Sequence, residues 1–223
     1  MKWPLVQLEH VTARTDRGEE LFVDLNLTLE PNKSALIIGE AGSGKTRLVE
    51  LLLGLRFPTG GRIDLFGETL RRRRKRRIRR IRRKIGGVGG PFGLVSSLTV
   101  AENISLPMII AGEKGKVLQE RLSRLLSEFG LLNQAAHYPS TLSRVEHTLV
   151  QLARASIANQ PLIVIDEPAA GLDPKTSAKV YDYLVKASLS GRSMLILSSQ
   201  LLPVDIPGCD KYAFTKGALA CFE

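Results

Sequence analysis

Apolar and polar positions along the chain switch repeatedly between strand and helical periods. Residues 5–8 read as a strand, residues 21–29 as another with alternating character, and residues 35–38 form the continuous apolar run of a fully buried strand, ending at a glycine. A glycine-rich loop follows directly. Residues 47–55 are apolar and helix-favouring, closed by Gly54 and a Pro58-Thr59-Gly60-Gly61 turn before a further strand at 62–66. Between residues 94 and 158 the period becomes helical: Leu118, Leu122, Leu125, Leu126 and Phe129 share one face that stops at Gly130. A short apolar strand at 162–165, a helix near 176–189 and a strand at 194–197 complete the pattern. Such alternation predicts an α/β fold with a mainly parallel sheet, an N-terminal antiparallel β region and a helical lobe. The division expected is one domain over 1–223, with residues 1–91 and 158–223 as the core and 92–157 as the helical subdomain.

The chain has 223 residues, 43% of them apolar, enough to bury one sizeable core. No apolar run approaches the roughly 18 residues of a membrane-spanning helix. The first ten residues lack a basic stretch followed by an apolar core, so a cytoplasmic location is expected. Cys209 and Cys221 have no metal-ligand spacing and read as free thiols.

The formal charge of +10 suggests a generally basic surface until it is located. The run from Arg71 to Lys84 holds 12 of the 32 Lys and Arg, and the remaining 20 face 22 acids, about −2 for the rest. Ile78, Ile81 and Ile85 within and after it fall at helical spacing. The run has three readings: a solvated helical face docked through its isoleucines, attraction to anionic lipid headgroups, and binding of nucleic acid. Interleaved aromatic residues, which favour the last, are missing.

Residues 39–46 read GEAGSGKT, the P-loop pattern of two glycines bracketing four residues, then Lys and Thr. Gly39, Glu40, Ala41, Gly42, Ser43 and Gly44 let backbone N–H groups curl round phosphate oxygens, and the helix beginning near Arg47 points its positive end at the same anion. Lys45 is placed to reach the β and γ phosphates and Thr46 to offer its hydroxyl to Mg²⁺. The complementary acid belongs at the end of a buried strand, and LIVIDEP at 162–168 supplies two: Asp166 for the magnesium shell and Glu167 as the base for an attacking water.

With about 120 residues between the P-loop and DEPAAGLDP, which includes Asp173, the chain resembles the ATP-binding subunit of ABC transporters. LTVAENISLP at 98–107 and YPSTLS before ARA within 138–155 extend the resemblance to nearly the whole chain. It implies ATP and Mg²⁺ as cofactors, transmembrane subunits as partners, a place on the cytoplasmic face of the membrane, and a head-to-tail dimer of ATPase subunits.

Four motifs depart from the family pattern. The signature, usually LSGGQ or LSGGE, is Leu142-Ser143-Arg144-Val145-Glu146, so both glycines are replaced. Gly90 stands where a glutamine binds magnesium, Ser199 where a histidine contacts the γ phosphate, and Thr15 where an aromatic residue stacks on adenine. The expectation is Mg-ATP binding with weak or no hydrolysis by this chain alone, and pairing with a second, intact ATPase subunit in a heterodimer rather than a homodimer. A non-hydrolysing regulatory subunit is the alternative. A nucleic-acid ATPase of the same superfamily ranks below both, because no sustained heptad run is present.

Overall fold

The computed structural model describes residues 3–215 and 217–222; among these, ten strands and six α-helices are present. In chain order they are β1 (Val6–Arg14), β2 (Glu20–Leu29), β3 (Ser34–Ile38), α1 (Lys45–Leu52), β4 (Gly60–Leu65), β5 (Glu68–Thr69), α2 (Lys75–Arg83) and β6 (Ile85–Val88). Then come α3 (Val100–Ala111), α4 (Lys116–Glu128), α5 (Arg144–Ile157), β7 (Leu162–Asp166), α6 (Pro174–Leu189), β8 (Ser193–Ser198), β9 (Cys209–Thr215) and β10 (Ala218–Phe222).

β2-β1-β4-β5 form an antiparallel sheet. The second sheet has the order β10-β9-β3-β8-β7-β6, in which all neighbours from β9 to β6 are parallel and only β10 is antiparallel. Its central strands are apolar on both faces, as a doubly covered sheet requires. Ile37, Leu162, Val164, Leu195 and Leu197 face a core shared with the antiparallel sheet and α1. Leu36, Ile163, Ile165, Met194 and Ile196 face the helices α3 to α6. On α4 the apolar stripe is buried at Leu118, Leu122, Leu125 and Leu126, and Gly130 ends the turn at φ 67°.

The arginine-rich run forms α2, which buries Ile78 and Ile81 in the first core. Burying two isoleucines stabilises by about 3 to 6 kcal/mol. The seven like-charged pairs three or four residues apart within α2 oppose this by about 0.2 to 0.5 kcal/mol each, together roughly half of the burial term, so the docked face wins. Arg82 adds a second attachment, donating from Nε to Leu53 O at 2.6 Å and from its Nη2 to Gly54 O at 3.2 Å, thereby satisfying carbonyls at the end of α1. Arg77 and Arg80 pair with Glu68 of β5 at 3.1 and 3.9 Å. Both cysteines are free, and burial first, then Asp210, pushes the Cys209 thiol up to about 12.

Candidate nucleotide site

β3 delivers the chain to Gly39, whose N–H donates to Ser198 O of the adjacent strand at 3.0 Å. The loop then turns through Gly42 and Gly44 at φ 83° and 101°, conformations that disfavour any side chain. Gly44 is the N-cap of α1, and no side chain caps this helix start, so its first N–H groups remain available to an anion. Ser43 N–H donates to Glu40 O at 3.1 Å, while the Ser43 hydroxyl is buried without a partner.

Lys45 is only 6% exposed. Its ammonium donates to Gly39 O at 2.5 Å and Glu40 O at 3.0 Å, and lies 3.3 Å from a carboxylate oxygen of Glu167. The cation is thus folded back on its own loop and on the strand-end acid. Arg47 turns its side chain away, towards Glu50 at 3.4 Å and Asp16 at 3.7 Å.

The end of β7 brings Asp166 to Thr46, whose hydroxyl donates to Asp166 Oδ2 at 2.8 Å. The other carboxylate oxygen, Oδ1, is buried and unpartnered. Burial is the main cause holding the Asp166 carboxyl above its ordinary range, reinforced by neighbouring Glu167 and opposed first by the Thr46 hydroxyl and then by Lys45. A buried acid with an open oxygen beside a hydroxyl suits a hard cation such as Mg²⁺, which takes oxygen ligands and keeps several waters. Among the described residues no three His, Cys, Asp or Glu cluster to hold a metal.

Glu167 sits in the left-handed region at φ 56°, a conformation that costs a non-glycine residue roughly 1 to 2 kcal/mol. Its N–H donates to Leu197 O at 2.8 Å. Its Oε2 accepts two hydrogen bonds from Ser199, from N–H and from Oγ, both at 3.1 Å. The serine at the departing position is therefore bonded directly to the acid.

Gly90 lies against the same centre. Its φ is 44°, and a Cβ built there would collide with Asp166 Oδ2; one at Gly89 would collide with the Asp166 carbonyl. The loop thus packs on the acid at a distance only glycine permits. It is held there by residues that the sequence patterns do not single out. Gln151 of α5, 6% exposed, accepts from Gly89 N–H at 2.9 Å and donates to Phe92 O at 3.1 Å. Arg154 also donates to Phe92 O, and to Gly93 O at 2.9 Å. Further along, Asn103 binds Val95 through both its amide groups and donates to Leu98 O and Thr99 O. The available signal was a glutamine embedded in the buried stripe Leu149, Val150, Leu152 and Ala153.

The structure therefore gathers Gly39 to Thr46, Gly90, Asp166, Glu167 and Ser199 into one site. Other singled-out residues lie apart. Arg144 begins α5, next to the Ser143 N-cap, and its guanidinium packs where a side chain on Gly171 would have to go, in the loop after Glu167. Val145 packs against the second core. Thr15 closes the β1–β2 hairpin, its Oγ1 accepting from Glu19 N–H at 3.2 Å, with its neighbour Asp16 reaching Arg47. Asp173 caps α6 by accepting from the N–H groups of Lys175 and Thr176.

The family profile described as ABC transporter matches residues 22–170. The methionine import ATP-binding protein MetN 2 of Pseudomonas entomophila is 32% identical over 92% of this chain and 62% of its own length. The cell division ATP-binding protein FtsE of Escherichia coli K12 is 28% identical, over 88% of this chain and 89% of its own. Among solved structures, the dimeric post-hydrolysis state of the ATP-binding cassette MJ0796, bound to ADP and Pi, aligns with a TM-score of 0.82 and 28% identity over 96% of both chains. The chain thus spans less than two thirds of the methionine import relative.

Proposed function

This chain belongs to the ABC transporter family as an ATP-binding subunit, and on that premise we propose that it binds Mg-ATP at Gly39 to Thr46 and couples binding to transmembrane subunits. The observation that carries this reading is the meeting of the buried Lys45 ammonium, the Thr46 hydroxyl and the open oxygen of Asp166 at the start of α1. Backbone N–H groups of residues 42–46 and Lys45 hold the phosphates, Thr46 and Asp166 hold the ion, and Glu167 is the base. Bound magnesium supplies charge neutralisation on the phosphate oxygens.

Turnover by the chain alone is weak. The loss of one donor that stabilises developing charge typically costs about 10² to 10³ in rate, and positions 144, 145 and 199 depart together. Gly90 also has no side chain with which to reach an ion. A second subunit with an intact signature, paired head to tail, completes the site that contains Lys45 and Glu167, which favours a heterodimer. The regulatory alternative, without hydrolysis, draws support from the Glu167 carboxylate being held by Ser199 as well as Lys45. Such subunits work at the cytoplasmic face of the membrane; among the described residues no helix is long and apolar enough to cross one.

Calorimetry with ATP and Mg²⁺ tests the binding, and steady-state phosphate release tests turnover. Wild type should bind with measurable heat and Lys45→Ala should not. Turnover should be near background alone and, with an intact partner cassette, should rise and then vanish in Glu167→Gln. Undiminished binding by Lys45→Ala would refute the site, and brisk Glu167-dependent turnover by the lone chain would refute its weakened catalysis.

A further inference from the structure

Helix α2 is attached on one side only. Ile78 and Ile81 enter the core, Arg82 closes α1, and Arg77 and Arg80 lean on Glu68. Helical spacing places Arg76, Arg79 and Arg83 on the opposite ridge, and all three are exposed. Among the described residues no carboxylate lies within ion-pair distance of any of them. The ridge is continued towards the N-terminus by exposed Arg73 and Arg74.

This charge opposes the helix that carries it. Arg76 and Arg79, and Arg79 and Arg83, are like-charged neighbours three and four residues apart. The first turn contains no acid and the N-cap, Arg74, makes no side-chain capping bond, so cations crowd the positive helix end. An anionic surface relieves both conflicts.

The flanks indicate what kind of surface. Trp3, 62% exposed, rests on Gly67 of the β4–β5 turn, whose Phe66 lies under the Lys84 ammonium. Leu55, 50% exposed, follows the α1 end that Arg82 caps. Exposed Trp3 and Leu55, linked to the C-terminal end of α2 through Lys84 and Arg82, suit the interface of a bilayer, where indole rings and alkyl groups sit at headgroup level. They have no counterpart on a sugar-phosphate backbone, and no aromatic residue is interleaved in the run from Arg71 to Lys84 to stack on bases.

We propose that the Arg76-Arg79-Arg83 ridge of α2 is a docking surface for anionic phospholipid headgroups. It rests on the transporter reading only for the chain's place at a membrane. The ridge attracts lipid by charge, since its isoleucines are already committed to the core.

The experiment is sedimentation of the whole chain with phosphatidylcholine vesicles, with or without phosphatidylglycerol, across a salt series and without nucleotide. Binding should require phosphatidylglycerol and weaken with salt. Each arginine at a charged surface contributes about fivefold in partitioning, so Arg76→Gln/Arg79→Gln/Arg83→Gln should lose about a hundredfold. The corresponding triple lysine variant should retain binding. The glutamine variant should melt no lower than wild type, because its repulsion is relieved, which separates lost binding from lost folding. Equal binding to neutral vesicles, full binding by the glutamine variant, or tighter binding of duplex DNA or single-stranded RNA than of anionic vesicles at the same salt would overturn the proposal. With no nucleotide or membrane subunit present, failure here leaves the ATP site standing, and absent ATP binding leaves this result standing.

Discussion

Replacing Gln151 with leucine isolates the contribution of the clamp on the Gly90 loop. Leucine fills nearly the same volume, so little cavity term enters, but Gly89 N–H loses its acceptor and Phe92 O keeps only Arg154. A part-buried N–H left unpaired costs roughly 1 to 3 kcal/mol. A loss of about 2 kcal/mol in unfolding free energy is therefore expected by urea titration. The loop abuts Asp166 through Gly89 and Gly90, whereas the Gln151 side chain makes its hydrogen bonds to Gly89 and Phe92. Calorimetry should accordingly show a smaller gain in ATP affinity on adding Mg²⁺, with the affinity for ATP in chelator unchanged. Because Gln151 and Arg154 share the Phe92 carbonyl, Gln151→Leu and Arg154→Met should be coupled by at least about 0.5 kcal/mol in a double-mutant cycle. A stability change below about 0.5 kcal/mol together with an unchanged magnesium gain would show that the clamp does not hold the loop.

Asp166→Asn should raise the urea midpoint of the metal-free chain, because it removes the buried charge of an unpartnered oxygen, and should abolish stabilisation by Mg²⁺-ATP. Since burial raises the Asp166 carboxyl above its ordinary 3.8, its contribution to metal-free stability is fully present below that value and falls as pH rises through the folded titration; magnesium affinity should rise over the same window. Ser143→Ala should cost about 1 kcal/mol by breaking the α5 capping box, measured by thermal melting. The Ser143 hydroxyl first, then its N–H, holds Glu146 below its ordinary 4.5, so that contribution is present above 4.5 and lost as pH falls through the lower folded value; the variant should lose stability less steeply on acidification.

The P-loop was legible because its glycines, lysine and threonine sit between an unbroken apolar strand and a helix, and local chemistry alone specifies that unit. The docked isoleucines of α2 were legible from their helical period. β6 was not, because Ile85–Val88 contains two glycines, one facing Phe92 and one facing Ala155, whose role appears only when those partners are in place. β9 and β10 also escaped, since Cys209–Thr215 mixes polar and half-buried residues at the sheet margin and is defined by pairing with β3 rather than by its own pattern. At the site, alignment marked Gly90 and Ser199 by what they lack. The fold adds what they do: one permits close packing on Asp166, and the other donates twice to Glu167. Neither follows from spacing along the chain, because Gly90 depends on the ends of β6 and β7 lying side by side and Ser199 on those of β7 and β8.

The back-folded Lys45 has a consequence for selection among solutes. Its ammonium already has three oxygens around it, so a newcomer must outcompete all of them at once. A molecule with a single weak negative group gains too little from the exchange, whereas a chain of phosphates offers several oxygens in one arrival. On the proposed reading, the resting contacts screen by density of charge before the shape of any base is consulted, and displacement of Lys45 would set Glu167 free of its cation.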